Sequence, residues 1–135
     1  MMLNFEYPLD VDKILRKKKA IKRQLLLNDK LVEKNIAILG GSTTSEIKNI
    51  LEIFLLNYGV KPNFYESDYN KYYEDSLFGN NELDNFNPDI IYIHTTNQNI
   101  IKFPEISDSS QDIDTLLSNE IQRYKSIWEG LSKFN

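Results

Sequence analysis

A short apolar segment that ends in two glycines and then becomes a helix constrains this fold more than any other feature. Residues 35–39 (NIAIL) have the composition of a strand buried on both faces. From Thr43, apolar residues recur at helical spacing until Gly59, which suits the left-handed position after a helix. A strand followed by a tight turn and a helix predicts a parallel sheet with right-handed crossovers.

Two further strands and three further helices extend this pattern. Residues 62–66 (PNFYE) and 90–94 (IIYIH) are predicted strands two and three, with a short helix at Tyr69–Leu77 between them. A first helix runs from Asp10 or Asp12 to about Leu27, and a last, strongly amphipathic one from about Ser110 to Phe134. We therefore expect a three-layer α/β fold of the flavodoxin type, with strand order 2-1-3 and helices on both faces of an incomplete parallel sheet.

Composition and charge narrow the class of protein. The 135 residues suit one domain, 1–135, and the absence of cysteine excludes disulfides and thiol chemistry. Residues 1–50 hold ten Lys/Arg against six Asp/Glu, whereas the remainder is strongly acidic. We expect no nucleic-acid partner, because one basic helix is too short to follow a phosphate backbone. No membrane span or signal peptide is predicted, so the expected location is cytoplasmic.

The segment GGSTTSE after strand one has several interpretations. Ser42 is either a nucleophile at a strand-to-helix turn or a helix-capping residue, and Thr43-x-x-Glu46 has the pattern of a capping box. A phosphate-binding P-loop is excluded because its lysine is missing. Glu66 at the end of strand two leaves open a ribose-binding role, although the dinucleotide fingerprint lacks its third glycine. No motif predicts a metal or a cofactor.

The segment HTTNQN after strand three supplies two more candidates. Carboxyl ends of parallel strands meet at one edge of a sheet, so this loop should approach the Ser42 turn. The Asn97 amide is a candidate donor to a developing oxyanion, together with Gly41. His94 is the only histidine and is either a general base for Ser42 or a residue that hydrogen-bonds locally and holds the loop.

These two loops together resemble the SGNH (GDSL-type) hydrolases. The first block of that family, a G-[DG]-S turn, is matched by Gly40-Gly41-Ser42, and its third-block asparagine by Asn97. The chain resembles more closely the N-terminal SGNH-like domain of FkbH-like proteins, in the stretches LRKKKAIKRQLL, IAILGGSTTSEI, FYESDYNKYY and PDIIYIHTTNQNI. The resemblance implies the front part of a longer protein whose second domain is a haloacid-dehalogenase-type phosphatase-like domain. It also implies handling of acyl or glyceryl esters or thioesters on an acyl carrier protein.

The departures from this pattern point to an alternative. The second-block glycine has no match in ESDYNKYY, and the D-x-x-H block that supplies the base is absent. The haloacid-dehalogenase signature is absent too. The alternative is a non-catalytic domain that docks a carrier protein or a phosphatase-like partner.

Two surfaces carry expectations about partners. Seven Lys/Arg lie within residues 13–23; they form either a solvated helix face or, through Lys17, Lys18 and Lys19, a docking surface for an acidic carrier protein. Strand three is the most hydrophobic one and lies at an edge in the order 2-1-3. We expect the chain to self-associate through residues 89–94 or to be only marginally stable.

Overall fold

The computed structural model describes residues 5–134, and its regular elements alternate between helix and strand. The strands are β1 (Val32–Gly40), β2 (Val60–Glu66) and β3 (Ile90–His94). The helices are α1 (Val11–Leu25), α2 (Ser45–Asn57), α3 (Tyr72–Phe78), α4 (Asn81–Phe86) and α5 (Ser110–Leu131). Two 3-10 turns lie at Asn97–Asn99 and Ser132–Phe134. The three predicted strands and the four predicted helices are all present.

The sheet is parallel and its strand order is β2-β1-β3, as the sequence predicts. β1 is the central strand and pairs with β2 from Val32 and with β3 from Ile36. The carboxyl ends of all three strands therefore meet at one edge, which is where ligands bind in sheets of this kind.

Alternate side chains of β1 point to opposite faces of the sheet, and a separate core lies on each side. Ala37 and Leu39 belong to a core with α3, α4 and α5, whose buried partners are Tyr72, Leu83, Ile127 and Leu131. Ile36 and Ile38 point to the opposite face, where right-handed crossovers place α2. There α1 and α2 enclose the second core, formed by Phe5, Ile14, Ile21 and Ile53. Burying each such aliphatic or aromatic side chain contributes about 1.5–3 kcal/mol relative to leaving it exposed.

The helices begin and end where local side chains satisfy their backbone. The Asp10 carboxylate accepts the N–H of Lys13 (3.1 Å) and caps α1. Ser109 and Asp112 form a reciprocal capping box at the start of α5. Beyond α2, Gly59 adopts φ +85°, which glycine reaches without steric cost.

The start of α2 differs from the prediction. Its N-cap is Thr44, whose hydroxyl donates to Glu66 Oε2 (2.9 Å) and not to the helix itself. Glu46 instead forms an ion pair with Lys18 of α1 (3.0 Å). The predicted capping box of Thr43 and Glu46 is therefore wrong, because the N-cap is Thr44 and a tertiary ion pair takes the Glu46 side chain.

Gly79 follows α3 with a positive φ of 77°, and after it comes a helix that the sequence did not predict. Asn80 caps α4 by accepting the N–H of Glu82 (2.9 Å). Six residues are too few to show an apolar periodicity, so only this cap signals the helix.

The last helix is amphipathic but only its second half enters the core. Gly130 permits a close approach to α3, since a Cβ there would lie 2.1 Å from the carbonyl oxygen of Ser76. Four apolar residues that predicted the helix remain largely exposed instead: Ile113 (43%), Leu117 (59%), Ile121 (48%) and Trp128 (59%). The apolar stripe therefore extends beyond the surface that the sheet can cover.

Candidate functional site

The loops that follow the three strands converge at the carboxyl edge of the sheet. Hydrogen bonds join two of them to the glycine turn, Gly40-Gly41-Ser42, at the end of β1. The Gly41 N–H donates to the carbonyl of His94 (2.8 Å), which joins the turn to the end of β3. The Gly40 N–H donates to Ser67 Oγ (3.1 Å), which joins the same turn to the loop after β2. The turn is thus held from both sides, as the parallel topology predicts.

Asn99 is the residue of the HTTNQN loop that contacts the glycine turn. Its Nδ2 donates to the Gly41 carbonyl (3.0 Å), and its Oδ1 accepts the N–H of Thr96 (2.8 Å). A Cβ on Gly41 would lie 2.3–2.5 Å from the Asn99 amide, so this contact requires glycine. Sequence reasoning missed Asn99, although the spacing Thr96-x-x-Asn99 is that of the capping box that fixes it.

Asn97, the predicted oxyanion donor, is the exposed first residue of the 3-10 turn. Within residues 5–134 its side chain has no hydrogen-bond partner. Gly41, the other predicted oxyanion group, has both backbone polar groups engaged, its N–H by His94 and its carbonyl by Asn99. Its N–H reaches an anion only if the bond to His94 opens, and the oxyanion roles of both residues stay predictions.

Ser42 is half-buried and lies two residues before the N-cap of α2. It is therefore not the capping residue of that helix, which was one of its two interpretations. No hydrogen bond joins its hydroxyl to another described residue. A half-buried hydroxyl without a protein partner is available to a ligand or to water.

His94 lies at the end of β3, half-buried, with its Nδ1 3.2 Å from the hydroxyl of Tyr92. The two rings are 5.9 Å apart and tilted by 38°. One of the two interpretations of His94 was a residue that hydrogen-bonds locally, and the contact with Tyr92 is such a local hydrogen bond. The tautomer that the bond selects decides whether Nε2 carries a proton or accepts one.

A polar cluster lies beside the turn at the start of α2. Lys48 and Thr44 both bond to the Glu66 carboxylate, one at each oxygen. Burial alone raises the pKa of Glu66, but these two hydrogen bonds outweigh burial and hold that pKa below its usual value. Because both oxygens are occupied, the ribose-binding interpretation of Glu66 has no support in this structure.

Arg123 of α5, which sequence reasoning also missed, joins the start of α3 to the loop that follows β3. Its guanidinium donates to the Tyr72 hydroxyl (2.6 Å), to the Asn99 carbonyl (2.9 Å) and to Glu120. The hydrogen bond with Glu120 raises the pKa of Arg123 above its ordinary value, so the group stays charged although it is only 8% exposed. A cleft of about 320 Å³ opens beside it, between the loops that follow β2 and β3.

The basic helix α1 divides its cations between two surfaces. Lys18 and Lys22 face α2 and form ion pairs with Glu46 (3.0 Å) and Glu52 (2.8 Å). Four cations on the outer surface remain exposed: Arg16, Lys17, Lys19 and Arg23. The predicted docking residues Lys17 and Lys19 are thus accessible, whereas Lys18 also holds the two helices together.

Residues 5–134 contain no group of three His, Asp or Glu side chains placed to hold a metal ion. None of the described helices is long and apolar enough to cross a membrane.

The strand order and the two helical layers define an open, parallel α/β fold. This fold is similar to the crystal structure of the N-terminal part of the protein BF1531 from Bacteroides fragilis, which contains a phosphatase domain and is complexed with Mg. The TM-score is 0.62 at 19% sequence identity, over 83% of this chain and 30% of that chain. Likeness at this identity concerns the fold alone. No protein-family profile and no curated protein sequence matches the chain.

Proposed function

We propose that this chain is the SGNH-like domain of an FkbH-like protein and that its Gly40-Gly41-Ser42 turn binds acyl or glyceryl groups carried as esters or thioesters. The motifs in the two loops support this assignment. The similarity of fold to the N-terminal part of a protein with a phosphatase domain agrees with it.

The observation that carries the proposal is the half-buried Ser42 hydroxyl, which has no partner among the described residues at the edge where three loops meet. The Asn99 amide nitrogen lies beside the turn and uses one of its two hydrogens on the Gly41 carbonyl. A carbonyl oxygen bound at the turn can accept the second one. Ser42 and Asn99 thus supply the two polar groups that an ester or thioester needs for orientation.

We propose that the chain binds these esters or thioesters and does not hydrolyse them. A serine hydroxyl needs a base within hydrogen-bond reach to be nucleophilic at neutral pH. Within residues 5–134 no side chain forms a hydrogen bond with Ser42, and the His94 ring contacts Tyr92 instead. The Gly41 N–H, a natural oxyanion donor, is bonded to His94.

The test compares Ser42→Ala with Ser45→Ala, because Ser45 is an exposed serine at the first turn of α2. Titration with a short pantetheine thioester of a glyceryl or acetyl group should show saturable binding. Ser42→Ala should lose it and Ser45→Ala should retain it. Mass spectrometry should find no acyl adduct on the wild-type protein, and activated esters should not be turned over.

Two outcomes contradict this proposal in different ways. Equal binding by wild type and Ser42→Ala removes the site from the turn. Ester turnover that is lost in both Ser42→Ala and His94→Gln makes the chain a hydrolase with His94 as its base.

We propose that the partner of this site is an acyl carrier protein, which docks on α1. Carrier proteins are acidic, and the outer surface of α1 presents Arg16, Lys17, Lys19 and Arg23. Opposite charges of this kind mainly accelerate association. A phosphatase-like domain is the other partner that the FkbH resemblance implies.

Charge reversal tests the docking surface. Lys17→Glu with Lys19→Glu should slow carrier-protein association about tenfold or more at low salt. Lys18 is left intact because its loss would also disturb the contact between α1 and α2. Lys30→Glu, an exposed lysine in the turn after α1, is the control. An association rate that ignores both salt and the double reversal leaves α1 as a solvated surface.

A further inference from the structure

One side of α5, from its first turn to its last, presents an apolar surface that nothing in the described chain covers. At about 100° per residue, its members fall within an arc of about 80° on one side of the helix. The members of this α5 stripe are Ile113, Leu117, Ile121, Tyr124 and Trp128. All but the half-buried Tyr124 are largely exposed. A helix face of this length and composition is typical of a surface that packs against another helix.

We propose that the α5 stripe is the interface of a homodimer, in which the α5 helices of two copies pair antiparallel. Two exposed charges flank the stripe on the side away from the core, Asp114 and Lys125. They share that flank because both lie about 20–40° beyond the same edge of the stripe, measured around the helix axis. A second copy related by a two-fold axis between residues 119 and 120 places Asp114 level with Lys125 of the partner subunit. The symmetry forms this ion pair twice.

The same register interleaves the apolar side chains. Ile113 lies level with the gap between Tyr124 and Trp128 of the partner subunit. Leu117 lies level with the gap between Ile121 and Tyr124 of the partner subunit. Ile121 lies level with the gap between Leu117 and Ile121 of the partner subunit. Four of the five stripe residues thus lie level with a gap between two residues of the partner's stripe, as antiparallel helix packing requires, whereas Trp128 lies level with residue 111, just beyond the end of that stripe.

The charge distribution along α5 also favours an antiparallel copy over a parallel one. Arg123 is buried and pairs with Glu120 of its own helix, so neither charge is available to a partner. The exposed charges are then Asp112 and Asp114 in the first half, and Lys125 and Glu129, which cancel, in the second half. An antiparallel partner sets the acidic first half of each helix against the neutral second half of the other, whereas a parallel partner would set the two acidic halves against each other.

Trp128 supplies a direct signal, because it is the only tryptophan and lies in the stripe. Sedimentation of the wild-type chain should show a concentration-dependent dimer, and the Trp128 emission should shift to the blue over the same concentration range. Leu117→Lys should raise the dimer dissociation constant at least ~10-fold, since the symmetric dimer contains this side chain twice.

Charge reversal identifies the register. Asp114→Lys alone and Lys125→Asp alone should each weaken the dimer, because each sets like charges opposite one another twice. Mixing the two variants should form a heterodimer, in which both pairs attract again. Asp29→Lys, an exposed acidic residue in the turn after α1, is the matched control and should change nothing.

Three results would overturn the proposal. The first is a chain that remains monomeric up to about 1 mM. The second is a dimer that survives Leu117→Lys but dissociates in Tyr92→Lys, because Tyr92 lies on β3. The third is a dimer of the two charge variants no stronger in the mixture than in either variant alone.

Discussion

Gly41→Ala tests whether the contact between the turn and Asn99 organises the site. The added Cβ would lie 2.3–2.5 Å from three atoms of the Asn99 amide, which real structures do not tolerate. Displacing that side chain costs the Nδ2 bond to the Gly41 carbonyl and the Oδ1 bond from Thr96. Overpacking of this size lowers the free energy of unfolding by about 1–3 kcal/mol.

A double-mutant cycle separates this contact from a general loss of stability. Asn99→Ala alone should cost roughly 1–2 kcal/mol through its lost hydrogen bonds. In Gly41→Ala/Asn99→Ala the amide that the new Cβ would strike is gone. The double variant should therefore be more stable than additivity predicts by about 1–2 kcal/mol.

Urea unfolding measures each free energy of unfolding, and the melting temperature should move by about 4 °C per kcal/mol. Gly130→Ala is the control, because its Cβ would meet the backbone carbonyl of Ser76 at 2.1 Å and no side-chain deletion relieves that conflict. Additive free energies in the Gly41 cycle would refute the contact with Asn99.

Three further substitutions test the polar groups around the site. Glu66→Gln should make the free energy of unfolding fall less steeply in acid. The lowered pKa of Glu66 stabilises the folded state above the ordinary glutamate pKa, and this stabilisation is lost as pH falls through the folded pKa. Unfolding measurements from pH 7 to pH 3 test this expectation. Asp75→Asn should raise the melting temperature at pH 7 and not at pH 3, since burial raises the pKa of Asp75 and its charged form opposes folding above that value. Arg123→Met should cost about 3–5 kcal/mol by leaving Glu120 without its partner, whereas Gln122→Met on the exposed side should change stability by less than about 0.5 kcal/mol.

The fold follows from the sequence because it depends on local patterns that repeat. The apolar run at 35–39 and the glycine at Gly59 each have one physical interpretation, and together they imply the parallel topology. β1 is longer than predicted because Val32 begins pairing with β2 before the apolar run starts. Polar residues that are paired but exposed carry no hydrophobic signal.

The contacts of the site do not follow in the same way. Asn97 and Asn99 stand two residues apart in one loop, and only the 3-10 turn decides which amide faces Gly41. Arg123 lies on an amphipathic helix, where a basic residue ordinarily predicts a solvated surface. Its role depends on Tyr72 and on a loop 24 residues away along the chain. The spacing of residues along a helix does not predict partners that are so distant in sequence.

The edge of the sheet bears directly on the site, because β3 carries His94 to the turn. The sheet order confirms that β3 lies at an edge and pairs with β1 alone, through five residues. On one face Ile91 and Ile93 pack against the core, whereas on the other Ile90 and Tyr92 are 50% and 39% exposed. Opening of so short a pairing frees the carbonyl that holds the Gly41 N–H, so the turn should loosen whenever β3 does.

Hydrogen exchange tests this coupling. The β3 amides that bond to β1 should exchange much faster than those of β1, and the Gly41 amide should exchange at the β3 rate. Ile90→Thr, which shortens an exposed side chain and keeps its β-branch, should leave both rates unchanged. β3 amides as slow as those of β1 would mean that another chain covers the edge, as expected for self-association through residues 89–94. A Gly41 amide that exchanges independently of β3 would show that Asn99 alone holds the turn.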